Sequence, residues 1–213
     1  MALVKICGLS TAETVAAAAD GGAAFLGFVF FPRSPRAVTP QAAARLAEPV
    51  RGRGIKLVAV TVDPDDALLD ELARTLKPDL VQFHGHEGPA RVRDAAARAA
   101  AGAIKAISVS QASDFEAAGD FEPVVEHLMF DARPPKDAAL PGGVGARFDW
   151  ALLAGRRYGR PHFLAGGLDP WNVGEALAAT GAPLVDVSSG VERGPGLKDP
   201  ALIAAFLDAA RPS

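Results

Sequence analysis

Eight apolar runs recur along the chain, and their spacing constrains the fold more than any other feature of the sequence. The runs begin at Leu3, Ala24, Ile55, Leu80, Ala103, His127, His162 and Leu184. Successive starts lie 21 to 35 residues apart, so each interval has room for one strand, one helix and two short loops. Eight such units fill the 213 residues and predict one (β/α)8 barrel domain over residues 1–213. A doubly wound open sheet is the alternative, although it usually has fewer strands and one glycine-rich switch point.

The runs and the segments between them have the character of buried strands and helices. The run from Phe25 to Phe30 is apolar without strict alternation, which is typical of a parallel sheet covered on both faces. Alanine-rich segments such as 14–19 and 201–210 are strong helix formers. The predicted helix N-caps are Ser10, which forms a capping box with Glu13, and Thr39, Asp63, Asp169 and Asp199, each followed by proline.

Composition narrows the class of protein. A net charge of −3 offers no reason to expect a nucleic-acid partner or an acidic membrane surface. A single cysteine cannot form an internal disulfide, and nothing at the N-terminus resembles a signal peptide. Because no apolar run approaches the ~20 residues of a membrane span, we expect a cytoplasmic protein.

Cys7, the single cysteine, ends the first apolar run and is followed by Gly8. In a (β/α)8 barrel the active site lies at the carboxyl ends of the strands, and polar residues and glycines cluster at these ends along the chain. The thiol is therefore either core filling, as free cysteines often are, or the reactive group of the protein. Lys5 lies on the same face of the predicted strand, where its charge would lower the pKa of Cys7.

Glycine-containing turns follow the last two runs. The first contains Gly166 and Gly167, and the second contains Ser188, Ser189 and Gly190. Glycines allow a ligand to approach the backbone closely, and helix N-termini favour anions. The loops after strands 7 and 8 are the usual phosphate site of such barrels. Two tight turns that need a positive φ are the alternative reading.

An ordered set of motifs extends from Lys5 to Pro200 and resembles the phosphoribosylanthranilate isomerase family of tryptophan biosynthesis. The motifs are Lys5-Ile6-Cys7-Gly8-Leu9, Gly27-Phe28-Val29-Phe30, Ser34-Pro35-Arg36, Val81-Gln82-Phe83-His84-Gly85, Phe130-Asp131, Gly142-Gly143-Val144-Gly145, Phe148-Asp149-Trp150, Leu164-Ala165-Gly166-Gly167-Leu168, and Asp186-Val187-Ser188-Ser189-Gly190-Val191-Glu192. Each motif alone is modest, whereas their order is specific. One departure is Val144, where the family usually has threonine.

The resemblance implies an Amadori rearrangement of N-(5-phosphoribosyl)anthranilate without a cofactor. It implies that Cys7 is the general base, that Asp131 is the general acid and that Arg36 binds the anthranilate carboxylate. Without it, Asp131 would be read as a helix cap or loop carboxylate and Arg36 as a solvated loop arginine like Arg33. The other substrate-binding residues that it implies are Gln82, His84, Gly166, Gly167, Asp186, Ser188, Ser189 and Gly190.

No metal site is expected, because the four histidines are scattered and Cys7 has no partner at ligand spacing. The long segment 132–147 is either a mobile lid or a disordered loop. The sequence leaves open whether the protein is a monomer or a homodimer.

Two alternatives remain. One is another sugar-phosphate barrel isomerase, such as the related aminoimidazole carboxamide ribotide isomerase, whose pattern has aspartate where this chain has Cys7. The other is a catalytically silent barrel that binds phosphorylated ligands or a protein partner. Cys7 argues against the first alternative, and the presence of Cys7, Asp131 and Arg36 together argues against the second.

Overall fold

The computed structural model describes residues 2–133, 145 and 147–211. Eight parallel strands follow one another around a closed barrel, and the last pairs with the first. The strands are β1 (Leu3–Cys7), β2 (Phe25–Val29), β3 (Lys56–Thr61), β4 (Leu80–Phe83), β5 (Gly102–Val109), β6 (His127–Ala132), β7 (His162–Leu164) and β8 (Leu184–Val187). All eight begin within one residue of the predicted starts. The predicted (β/α)8 barrel is therefore confirmed, and the doubly wound alternative is wrong.

Helices surround the barrel. They are α1 (Ala12–Asp20), α2 (Pro40–Ala47), α3 (Asp66–Arg74), α4 (Pro89–Arg98), α5 (Ala118–Phe121), α6 (Val173–Thr180) and α7 (Pro200–Ala209). An antiparallel hairpin of β9 (Glu192–Gly194) and β10 (Leu197–Lys198) stands between β8 and α7. In the described part of the chain, no helix has the length and apolar character needed to cross a membrane.

The sixth strand is not followed by the predicted α-helix within the described residues. The connection to β7 contains a 3₁₀ turn over Trp150–Leu152. Gly155, Gly159 and Pro161 follow this turn and are poor helix formers.

Two of the predicted N-caps are confirmed. Thr39 and Asp199 each accept a hydrogen bond from the first turn of their helix. The other three are displaced, since the N-cap positions are Thr11, Asp65 and Asn172 rather than Ser10, Asp63 and Asp169. Asp63 instead accepts a hydrogen bond from the backbone N–H of His86 at 2.7 Å, so its carboxylate is used to join two loops.

Apolar side chains fill the lower part of the barrel. Phe25 and Phe163 stack edge to face with ring centroids 5.1 Å apart, and Ile104 and Met129 are fully buried beside them. A second, larger core lies between the barrel and the helices. Above this packed interior, Lys5 of β1 and Asp186 of β8 form an ion pair toward the mouth of the barrel.

Candidate active site

Cys7 lies at the mouth of the barrel beside a buried ion pair. Lys5 is fully buried, and its Nζ donates to Oδ1 of Asp186 at 2.8 Å across the β1–β8 junction. A Cβ at Gly27 of β2 would lie 3.2 Å from both the Cα of Cys7 and the Nζ of Lys5. The missing side chain at Gly27 therefore leaves room for the lysine inside the barrel.

The electrostatic setting of the thiol has several opposing contributions. Burial raises the pKa of Cys7, the positive charges of Lys5 and Lys198 lower it, and Asp186 raises it further; burial prevails, so the pKa lies above its ordinary value. Burial alone would lower the pKa of Lys5, but Asp186 and Cys7 outweigh it and keep the ammonium charged. The predicted effect of Lys5 on the thiol has the right sign, but it does not set the net result.

A row of three side chains crosses the mouth from β4 to β6. The Nε2 of His84 lies 3.1 Å from Oδ2 of Asp131 without hydrogen-bond alignment. The amide Nε2 of Gln82 donates to Nδ1 of His84 at 3.0 Å. Because Nδ1 is then an acceptor, the proton of a neutral His84 ring lies on Nε2 and faces Asp131. Gln82 and Asp131 are almost completely buried, with exposed fractions of 1% and 6%.

Arg36 enters the mouth from the loop after β2 and is held by Glu192. Its Nε and Nη2 donate to the two carboxylate oxygens of Glu192 at 2.7 and 2.8 Å. The close approach of Arg36 to the β1 turn requires Gly8, whose φ is 79° and whose Cβ would lie 2.6 Å from the Cδ of Arg36. Burial would raise the pKa of Glu192, but Arg36 and Lys198 together lower it, so the carboxylate stays ionised.

Lys198 is the charged residue of the site that the sequence analysis missed. Its Nζ donates to the carbonyl and the hydroxyl of Ser188 at 3.0 and 3.3 Å, and it forms an ion pair with Glu192. Ser188 in turn donates to the carbonyl of Cys7 at 3.3 Å. A lysine directly before the confirmed cap Asp199 was a local signal, but nothing in the sequence directs its side chain to the mouth.

The two glycine-containing turns lie against each other. Gly166 and Gly167 have φ of 85° and 62°, so both use the left-handed region that favours glycine. A Cβ at Gly190 would lie 1.9 Å from the carbonyl oxygen of Leu168, so the second turn packs directly on the backbone of the first. A cavity of about 530 Å³ is lined by both turns and by Arg36.

The remaining predicted binding residues lie in the same mouth, although some of their polar atoms already have partners. Asp186 binds Lys5, whereas Ser189 and Gly190 open into the cavity with Gly167. The described residues contain no group of three or more His, Cys, Asp or Glu side chains able to hold a metal ion. Val144 and most of the segment 132–147 lie outside the described residues.

A closed (β/α)8 barrel with a buried thiol, a buried carboxyl and an arginine around one mouth defines a barrel enzyme. A family model described as N-(5'-phosphoribosyl)anthranilate (PRA) isomerase matches residues 4–209. The chain belongs to this family, which confirms the resemblance.

Individual relatives agree with the family model. The chain is 71% identical over 207 residues to N-(5'-phosphoribosyl)anthranilate isomerase of Caulobacter vibrioides, covering 97% of this chain and 94% of the relative. The crystal structure of phosphoribosyl anthranilate isomerase from Thermotoga maritima is 34% identical, with a TM-score of 0.86 over 99% of this chain and 98% of that one. A family member in complex with reduced 1-(o-carboxyphenylamino)-1-deoxyribulose 5-phosphate is 32% identical, with a TM-score of 0.83 over the same shares.

Proposed function

We propose that the chain converts N-(5-phosphoribosyl)anthranilate to 1-(2-carboxyphenylamino)-1-deoxyribulose 5-phosphate in tryptophan biosynthesis. The observation that carries the proposal is a buried thiol on β1 and a buried carboxyl on β6 that face one mouth in a chain of this family. It is supported by the relative whose structure holds a reduced form of this ribulose phosphate. We further propose that the enzyme needs no cofactor and works in the cytoplasm as a monomer or homodimer.

The first step opens the ribose ring. Asp131 donates a proton to the ring oxygen, the bond from this oxygen to C1′ breaks, and the lone pair of the anilino nitrogen forms a protonated Schiff base. Because Oδ2 of Asp131 lies 3.1 Å from Nε2 of His84, Oδ1 is the oxygen better placed to carry the transferable proton. This oxygen lies toward Gly166, where an added Cβ would approach it to 3.0 Å.

The second step removes the proton from C2′. The Cys7 thiolate takes this proton, the C–H electron pair forms a C1′–C2′ double bond, and the Schiff-base electrons return to nitrogen. The resulting enolamine becomes the ketone by losing its hydroxyl proton and gaining a proton at C1′. Because burial favours the neutral thiol, the charged Lys5 is the group that makes the thiolate accessible.

The anionic ends of the substrate fit the two sides of the cavity. Arg36 suits the anthranilate carboxylate, since a guanidinium forms parallel hydrogen bonds with carboxylates. The backbone N–H groups of Gly166, Gly167, Ser189 and Gly190 suit the phosphate. Gln82, His84, Asp186 and Ser188 complete the proposed binding residues, the first two beside Asp131 and the last two beside Cys7.

Two substitutions test the chemistry. Cys7→Ala and Asp131→Asn should each lower kcat by about 10² to 10⁴, the usual contribution of a positioned acid or base, with KM little changed for Asp131→Asn. The substrate is phosphoribosylanthranilate, and the product, which has the same mass as the substrate, is identified by its ketone. Val60→Ala, which truncates a buried side chain of the barrel interior, is the control for general damage. Near-normal turnover by a folded Cys7→Ala protein would overturn the assignment of the base.

A further inference from the structure

Lys105 and Glu87 form a buried ion pair that the proposed chemistry does not use. The Nζ of Lys105 lies 2.7 Å from Oε2 of Glu87, and the residues are 4% and 6% exposed. Lys105 projects from β5 toward the helix layer, where its ammonium lies 5.5 Å from the ring centroid of Phe121. A buried ion pair is often no more stabilising than apolar side chains of the same size, so stability alone does not account for this one.

The remaining hydrogen bonds of the pair go to two loops at the mouth. Lys105 donates to the carbonyl of Gly85 at 2.8 Å. The carboxylate of Glu87 accepts from the backbone N–H of Gly85 at 3.0 Å and from that of Asp63 at 2.8 Å. Gly85 is thus held at its N–H and at its carbonyl, and the loop after β3 is tied to the loop after β4.

The tied loops are also packed closely. A Cβ at Gly85 would lie 2.5 Å from the carboxylate of Asp63. Asp63 itself has φ of 45°, a conformation that a non-glycine residue keeps only when its surroundings hold it. The carboxylate of Asp63 also accepts from the N–H of His86, so the backbone on both sides of Gly85 is fixed.

Gly85 directly follows His84, the residue whose ring lies between Gln82 and Asp131. The backbone on one side of His84 is therefore set by Lys105 and Glu87, from outside the barrel. A shift of about 1 Å in that backbone would change the 3.1 Å separation between Nε2 of His84 and Oδ2 of Asp131, and misplacements of this size reduce catalysis markedly.

We propose that Lys105 and Glu87 are positioning residues that hold His84 against Asp131 through the peptide of Gly85. The proposal rests on the proposed function, because Asp131 is the acid of that reaction. It assigns to the helix layer a role in proton transfer at the mouth, and it predicts that losing the pair lowers kcat more than it raises KM.

The test replaces both members with neutral side chains of similar length. Lys105→Met alone would leave a buried charge unpaired, so the variant is Lys105→Met with Glu87→Gln. We expect kcat to fall by about 10-fold or more with KM within about 2-fold, and the pH profile of kcat to change. Lys105→Arg, which keeps the cation, should have a higher kcat than the double variant. Leu72→Ala, in the buried face of α3 and outside the sequence of both loops, destabilises the protein and should leave kcat unchanged.

A cycle with His84→Ala shows whether the pair acts through His84. In that background the double variant should cost little more, because coupled residues are not additive. The proposal would be overturned if the fold-losses in kcat from His84→Ala and from the double variant multiply when combined. It would also be overturned if the double variant kept the wild-type kcat and pH profile. A second readout is the set of NMR chemical shifts of the His84 ring at one fixed pH, which should change in the double variant and stay the same in Leu72→Ala. If the wild-type protein does not turn over phosphoribosylanthranilate, the proposed function is refuted. The NMR readout then still tests the positioning proposal, because it does not depend on turnover.

Discussion

Replacing Gly190 with alanine tests whether the two glycine-containing turns bind phosphate as one unit. The added Cβ would lie 1.9 Å from the carbonyl oxygen of Leu168 and 3.0 Å from the Cα of Asp169. Carbon and oxygen atoms in contact are ordinarily about 3.3 Å apart, so the turns must separate by about 1.4 Å. Gly190 is not among the glycines with positive φ, so the effect is one of space and not of backbone conformation.

A separation of this size displaces the N–H groups proposed to hold the phosphate. Misplacements of about 1 Å cost about 10²-fold in catalytic efficiency, which corresponds to about 2.7 kcal/mol. We therefore expect Gly190→Ala to raise KM for phosphoribosylanthranilate and the inhibition constant of inorganic phosphate by similar factors. Overpacking should also lower the free energy of unfolding by about 1–3 kcal/mol.

The assay is steady-state turnover with inorganic phosphate as a competing ligand. Gly194→Ala is the matched control, because Gly194 lines the same cavity and its added Cβ would have Leu197 as its nearest neighbour at 3.9 Å. The control should behave as wild type. A folded Gly190→Ala protein with wild-type KM and phosphate inhibition would refute the idea that the packed turns form the phosphate site.

Three further predictions concern charges. Arg36→Met should raise KM for phosphoribosylanthranilate and spare inorganic phosphate inhibition; loss of phosphate binding with normal turnover would reverse the proposed orientation. Lys198→Met removes a charge that lowers the pKa of Cys7, so the rise of kcat/KM with pH should move to higher pH, and an unmoved profile would contradict this. Burial lowers the pKa of His127, despite the opposing charge of a neighbouring glutamate, and of His162, so the folded state binds fewer protons than the unfolded chain. The contribution of these two histidines to the free energy of unfolding, measured by urea denaturation, should be fully present above pH about 6.5. Below that pH, the free energy of unfolding should fall by at most about 1.4 kcal/mol per pH unit for each histidine. A flat profile from pH 7.5 to 5 would contradict this prediction.

The barrel was predictable because its strands are continuous apolar runs. Such a run can be recognised from local sequence whatever strand it pairs with, so His127 and His162 mark strand starts correctly. Two of the three wrong caps are aspartates whose carboxylates bind other groups. Asp63 joins two loops, and Asp169 accepts from Trp171 and from Arg147, contacts that local sequence does not reveal.

The family motifs supplied the residues proposed for the site, but not the contacts between them. The family motifs include Arg36 and Glu192, yet these residues are 156 positions apart, and no periodicity brings them together. Lys5 was correctly placed on the face of Cys7 by the alternation of the strand. The net pKa of Cys7 was not, because the depth of burial depends on the closed barrel and outweighs the neighbouring charge.

The contacts across the junction of β1 and β8 determine when, during folding, the surroundings of Cys7 are completed. Lys5 meets Asp186, and Cys7 meets Ser188, across 181 positions of sequence in each case, and Lys198 arrives later still. During synthesis from the N-terminus, the thiol emerges before its charged neighbours on β8 and β10. An incomplete barrel therefore carries Cys7 without the surroundings that tune it. The pKa of the thiol therefore reaches its folded value only when the ring closes and the long-range contacts form, contacts of the kind that make such topologies slow to fold.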